Sequence, residues 1–237
     1  MSTKALVVID IQNDITKHYR DIVDNINAAI EWAVSEGMHV VYIKHNNITS
    51  STRTFKPGTH GEELVPELKV VSDNIFVKTK SNALTNEAFY SFIAENGITE
   101  FYVAGADATG CVKSTCFNLR KSGYTVHVCS DCVTSYDLKK LPEMLAYYAK
   151  QGCELITIQY YMDYRKEAIE CVKDHVLPLH KQIYAKYDGD FDRIYSEGYN
   201  SKSYQGRVIE PDSWFDVRIE NTILRGGDRC TFRITRI

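Results

Sequence analysis

Apolar runs and polar breaks alternate along the first two thirds of the chain in a regular order. Residues 5–9 form an unbroken apolar run that ends in Asp10 and is followed by the polar Gln12, Asn13 and Asp14. A run without alternation marks a strand covered on both faces. Ile22, Ile26, Ala29, Ile30 and Ala33 then recur at helical spacing until Gly37 ends the run. The same grammar repeats: strands over 39–43 and 74–77, and a strand over 101–104 that breaks at the small residues 105–110. A helix follows, with Val112, Cys116 and Leu119 on one face and Gly123 as its stop, then a strand over 124–128. A helix over 141–149 and a last strand over 154–158 complete this part. Strands alternating with helices predict a parallel sheet.

Two stretches depart from that grammar. Residues 44–69 contain Pro57, Gly58, Gly61 and Pro66 and read as a long loop over the sheet edge, the kind of segment that carries function. Residues 163–237 read as a C-terminal extension to a domain over 1–162. It has a helix over 168–183, a tyrosine-rich, charged and glycine-containing stretch over 184–204, and partial alternation over 207–209, 214–219 and 230–237. That alternation predicts a small antiparallel sheet, too small to stand alone. The expectation is a homo-oligomer whose tail covers the active-site mouth.

Composition narrows the class. The chain has 237 residues, 44% hydrophobic and 25% charged, with a net charge of -3, an ordinary soluble balance with no general attraction to nucleic acid or an anionic membrane. No apolar run approaches the roughly 20 residues needed to span a bilayer, and the start MSTKALVVIDIQ lacks a signal-peptide layout. A cytoplasmic location is expected. Seven scattered cysteines without framework spacing point to reduced thiols.

Chemistry gathers at the strand ends. Cys111 stands where the 105–110 turn enters a helix, and a thiol there meets free N–H groups and the positive end of the dipole, which lowers its pKa. The alternative is a small buried hydrophobe. Asp10 ends the first strand, at the edge where parallel sheets bind ligands, or else serves as a turn carboxylate. Lys78 follows the third strand, with Lys80 competing for its place and simple solvation as the alternative. Together, a carboxylate, an ammonium and a thiol form a set whose members explain one another: the cation steadies thiolate and the carboxylate moves its proton. His45 and His60 raise a metal site, but their spacing makes no compact cluster and no acidic residue flanks His45. Cys129 and Cys132 lack the second pair that a structural zinc site needs, and read as packing.

Four blocks carry a family resemblance: VVIDIQND at 7–14, PGTHGEELVPEL at 57–68, VKTKSNAL at 77–84 and VAGADATGCVKST at 103–115. In order, spacing and chemistry they resemble the isochorismatase-like cysteine hydrolases over about residues 4–160. The resemblance implies a doubly wound α/β fold with a six-stranded, mostly parallel, Rossmann-like sheet, helices on both faces, and an Asp-Lys-Cys triad at Asp10, Lys78 and Cys111. It favours Lys78 over Lys80, because the family's lysine precedes a small-apolar pair matched here by Ala83 and Leu84.

The resemblance also implies a cis peptide between Ala106 and Asp107, which would aim the N–H groups of Asp107 and Cys111 at an oxyanion. Asp107 is a departure, since relatives place a small or hydroxyl residue there, and its side chain is expected to reach the pocket and select a donor group. Asn13 and His45 are further candidates for substrate contact. The nicotinamidase branch uses an Asp-x-His-and-His metal set after strand two; here KHNNITS at 44–50 lacks it, so no metal or other cofactor is expected. Isochorismatases that cleave a vinyl ether lack the nucleophilic cysteine. The expected function is hydrolysis of a non-peptide C–N bond in a small amide, lactam, imide or carbamoyl compound through a cysteine acyl-enzyme. The alternative is a ligand-binding or scaffolding protein that kept the fold without turnover.

Overall fold

The computed structural model describes residues 3–15, 17–49, 51 and 54–171, three tail strands, and isolated positions between 174 and 190. The chain divides into two compact units, Met1–Met162 and Asp163–Ile237.

The first unit is a six-stranded sheet in the order β3-β2-β1-β4-β5-β6. Its strands are β1 (Thr3–Ile9), β2 (His39–His45), β3 (Ile75–Lys78), β4 (Ile98–Ala106), β5 (Thr125–Thr134) and β6 (Glu154–Ile156). Every neighbouring pair runs parallel. Helices α1 (Val23–Ser35), α2 (Glu87–Glu95), α3 (Cys111–Lys121), α4 (Leu141–Lys150) and α5 (Ile158–Cys171) follow in chain order.

The period of two along β1 divides its side chains between two cores. Leu6 and Val8 pack with Ile26, Ile30 and Trp32 of α1. Ala5, Val7 and Ile9 pack on the other face with Phe89 of α2, Val112 and Leu119 of α3, and Tyr148 of α4. Each of the leucine, valine, isoleucine and phenylalanine side chains among them, fully buried, contributes about 1.5–3 kcal/mol. Cys129 and Cys132 are free thiols buried in the α1-side core.

The chain passes from β1 outward to β3, then returns to β4 on the other side of β1. Its reversal point therefore lies between β1 and β4, and open α/β sheets bind ligands beyond the carboxyl ends of strands at such a point. Asp10 and the turn before Cys111 both emerge there.

The last strand is shorter than its apolar run suggests, ending at Ile156, with α5 starting at Ile158 rather than at 168. The cause is Asp131, whose carboxylate accepts from the Ile158 and Gln159 N–H groups at 3.0 Å each and caps the helix.

In the second unit, β7 (Arg207–Val208), β8 (Phe215–Asn221) and β9 (Thr231–Arg236) form an antiparallel sheet in that order. The tyrosine-rich stretch and most of the expected 168–183 helix beyond Cys171 lie outside the described residues. Among the described residues no helix is long and apolar enough to cross a membrane.

Candidate active site

The sheet's upper edge is shaped by backbone geometry unusual for ordinary residues. Asp10 has φ 55, a left-handed conformation disfavoured for residues other than glycine, asparagine and aspartate. Its N–H donates to the Ile43 carbonyl at 2.8 Å, tying it to β2. Across the strand, Gly105 has φ 119, and a Cβ there would lie 2.1 Å from the Ile9 carbonyl oxygen. Only glycine lets β4 pass this close to β1 just before Asp10.

Gln12 is fully buried and clamps three segments. Its Nε2 donates to the carbonyls of His45 at 3.0 Å and Glu62 at 2.8 Å, and its Oε1 accepts from the His45 N–H at 2.7 Å. Since β2 and β3 pair His45 with Lys78 in register, fixing His45 also fixes the level of Lys78.

Lys78 is 1% exposed. Its Nζ donates to Asp10 Oδ2 at 2.8 Å, His45 Nδ1 at 3.1 Å and Cys111 Sγ at 3.3 Å. An ammonium has three protons and no lone pair, so these three acceptors use its whole capacity. Lys80, the competing lysine, is exposed. With Nδ1 accepting, the His45 proton must lie on Nε2, and His45 is a neutral acceptor. Burial first, and then the Lys78 charge, hold its pKa below the ordinary value, against the opposing pull of Asp10. This contact was not foreseen, because nothing in the local sequence of His45 signals a lysine 33 residues away.

Cys111 is the first residue of α3, with Gly110 at the N-cap. The expectation of a lowered thiol pKa is reversed: burial first, then the Asp10 charge, push it up to about 12, outweighing Lys78. The group rests as a thiol. Asp10 Oδ1 is buried and has no hydrogen-bond partner among the described residues. A buried carboxylate oxygen with an open lone pair beside a protonated thiol is a base in waiting.

The peptide between Ala106 and Asp107 is cis. The Asp107 carbonyl accepts from the N–H groups of Gly110 at 2.9 Å and Val112 at 3.1 Å, which winds the turn into α3. The Asp107 side chain, expected to reach substrate, is instead engaged by the protein: Oδ1 accepts from Thr109 N–H and Oγ1, and Oδ2 from Tyr19 Oη and the Tyr136 N–H. Asn13 faces the long loop, its Nδ2 donating to the His60 carbonyl at 3.0 Å. His60 itself lies 3.1 Å from Glu63 and is exposed, away from the Lys78 cluster. Asp14 Oδ2 accepts from the Phe55 N–H, and the Phe55 ring packs edge-on to His45 with centroids 6.0 Å apart.

Asp10, His45 and Cys111 offer ligand atoms within 4.8 Å of one another, the one such group found among the described residues. They do not fit a divalent cation, because the Lys78 ammonium already bonds all three and would face a like charge at close range.

The fold and this cluster define a doubly wound α/β protein with a cysteine, an aspartate and a lysine gathered at the switch point of its sheet. Residues 4–160 match the model of the Isochorismatase domain, and the chain belongs to that family. A probable inactive nicotinamidase of Arabidopsis thaliana is 27% identical over 139 residues, covering 48% of this chain and 71% of that protein. An isochorismatase-like hydrolase from Alkaliphilus metalliredigens superposes with a TM-score of 0.63 at 20% identity, covering 69% of this chain and 99% of the other. N-carbamoylsarcosine amidase from Thermoplasma acidophilum superposes with a TM-score of 0.60 at 22% identity, covering 66% and 96%.

Proposed function

We propose that this protein is a cysteine amidohydrolase that cleaves a non-peptide C–N bond in a small amide, lactam, imide or carbamoyl compound. The single observation that carries the reading is the Lys78 ammonium bonded at once to Asp10, His45 and Cys111. In this reading Asp10 Oδ1 takes the Cys111 proton as Sγ attacks the carbonyl carbon. The electron pair of the C=O moves to oxygen, where the N–H groups of Asp107 and Cys111 receive it. Collapse expels the nitrogen with the proton returned by Asp10, leaving a thioester on Cys111. Water, deprotonated by the same carboxylate, then releases the acid and the thiol. Because the thiol rests protonated, attack requires proton transfer in step with C–S bond formation, a task in which a placed base contributes about 10²–10⁴-fold. Lys78 stabilises the anionic sulfur as it forms.

A second reading is a binding protein without turnover. It draws on the Arabidopsis relative named probable inactive and on the raised Cys111 pKa. The test is a panel of small amides, ureides and cyclic imides, monitored for ammonia or acid release, with mass spectrometry of the quenched enzyme. The hydrolase reading expects turnover, an acyl adduct on Cys111, and loss of both in Cys111→Ala. Tight binding of a panel member with neither turnover nor adduct would establish the second reading instead.

A further inference from the structure

We propose that Asp107 and Tyr19 are positioning residues that hold the oxyanion-binding turn from behind, with the Asp107 carboxylate serving as a bracket between three chain segments. The inference rests on the acyl-enzyme reading above and deepens it.

The bracket can be followed atom by atom. Within the turn, Oδ1 of Asp107 accepts from the Thr109 N–H at 2.7 Å and from Thr109 Oγ1 at 2.8 Å. From the 3-10 turn Lys17–Ile22, Tyr19 Oη donates to Oδ2 at 2.7 Å. From the segment after β5, the Tyr136 N–H donates to the same oxygen at 2.9 Å. A parallel backbone bond, Ala108 N–H to the Thr134 carbonyl at 2.8 Å, stitches the turn to the end of β5. Four donors on one carboxylate, two of them from segments 88 and 29 residues distant, leave the side chain no freedom to serve a ligand. Its rigidity is passed to its own backbone, whose N–H is a proposed oxyanion donor. The neighbouring donor, the Cys111 N–H, opens α3 directly after Gly110, within the turn that the Asp107 carbonyl winds.

The electrostatics agree with this geometry. Although burial opposes ionisation, the bonds from Tyr136, Tyr19 and Thr109 win and hold the Asp107 pKa below its ordinary value. Tyr19 is correspondingly pushed up, by burial first and then by Asp107, so it stays a donor. The bracket is therefore charged and intact at neutral pH. A charge-assisted network of this kind fixes geometry more firmly than neutral bonds would.

The test separates oxyanion binding from thiol reactivity and needs no natural substrate. Propionaldehyde adds to a cysteine thiol: the C–S bond forms, the sulfur proton leaves to the base, and the electron pair moves to oxygen. The adduct's stability depends on the oxyanion donors. Iodoacetamide alkylation of Cys111 involves no such oxygen. Protection of Cys111 from iodoacetamide by increasing propionaldehyde therefore measures the donors, while the rate without aldehyde measures the thiol. Tyr19→Phe should require about threefold more aldehyde, with unprotected alkylation within about twofold of wild type, and Asp107→Asn about tenfold more aldehyde or more. Unaltered protection in both variants would overturn the bracket. Equal losses of alkylation and protection would also overturn it, by showing a general structural role. Wild-type Cys111 that alkylates but gains no protection from aldehyde would instead contradict the acyl-enzyme reading on which the inference rests.

Discussion

The sheet carries two clusters of charged and polar side chains, one at each end of its strands, and they are built on opposite plans. At the lower end, His127 near the start of β5 lies between two carboxylates, 3.0 Å from Glu100 of β4 and 3.0 Å from Glu154 of β6. Its ring stacks on Tyr102 with centroids 4.4 Å apart, and Tyr102 Oη donates to Glu100. At the upper end, the Lys78 ammonium is spent on Asp10, His45 and Cys111, one oxygen of Asp10 has no partner among the described residues, and the Asp10 backbone is left-handed. The lower cluster ties three adjacent strands together and contains no nucleophile. The upper one keeps an open lone pair next to a thiol. Each cluster holds a buried atom with no hydrogen-bond partner among the described residues, His127 Nδ1 below and Asp10 Oδ1 above, but only the upper one sets it beside a thiol, on a left-handed backbone at a strand-end crevice, which makes it the candidate for chemistry.

Breaking the two clusters should therefore have different consequences. The largest effect is expected for Lys78→Met, which leaves the buried Asp10 carboxylate unpaired. Stability should fall by about 3–5 kcal/mol in denaturant unfolding. Alkylation of Cys111 should also slow, because Lys78 is the group that lowers its pKa. His45→Gln comes next. It keeps an acceptor for Lys78 but removes the imidazole, and turnover of any substrate found should drop about tenfold. The wild-type pH profile sharpens this point. With its pKa held below the ordinary value, His45 is neutral at pH 7. Protonation would set it against Lys78, so activity should be lost only as pH falls below about 6.5. That acid limb should move or vanish in His45→Gln. The same sign applies to stability: the unfolded chain binds the His45 proton first, so this contribution is lost as pH falls through the folded pKa. His127→Gln should be mildest, costing about 1 kcal/mol and leaving Cys111 alkylation unchanged, because its partner Glu154 is mostly solvated.

How much of this was legible in the sequence follows from the range over which each interaction acts. Unbroken apolar runs place β1, β2 and β4 within two or three residues of their observed ends, because burial on both faces is written locally; the edge strand β3 is placed equally well although Ile75 and Val77 are exposed. The four family blocks carry Asp10, Lys78 and Cys111, and place the cis bond at Ala106–Asp107. The early start of α5 was not legible, since its cap is Asp131, 27 residues upstream. Helix α2 lies in a stretch the pattern reading leaves unassigned. Phe89 and Ile93 are its only fully buried residues, too sparse a stripe to stand out. The Asp107 side chain was expected in the pocket because a charged residue at a turn reads locally as functional. Thr109 is a local partner, but the two that hold the other carboxylate oxygen, Tyr19 and Tyr136, are near only after folding. The thiol pKa failed for a related reason: a helix N-terminus is visible in sequence, whereas burial and a carboxylate one strand away are not.

The central claim is that Asp10 and Lys78 act in opposite directions on the proton of Cys111. Site-resolved alkylation of Cys111 by iodoacetamide at pH 8, in wild type and in Asp10→Asn, tests it most directly. Removing the charge that raises the thiol pKa while keeping Lys78 should speed alkylation by about tenfold, even though the base for turnover is gone. Alkylation that is unchanged or slower in Asp10→Asn would contradict the claim.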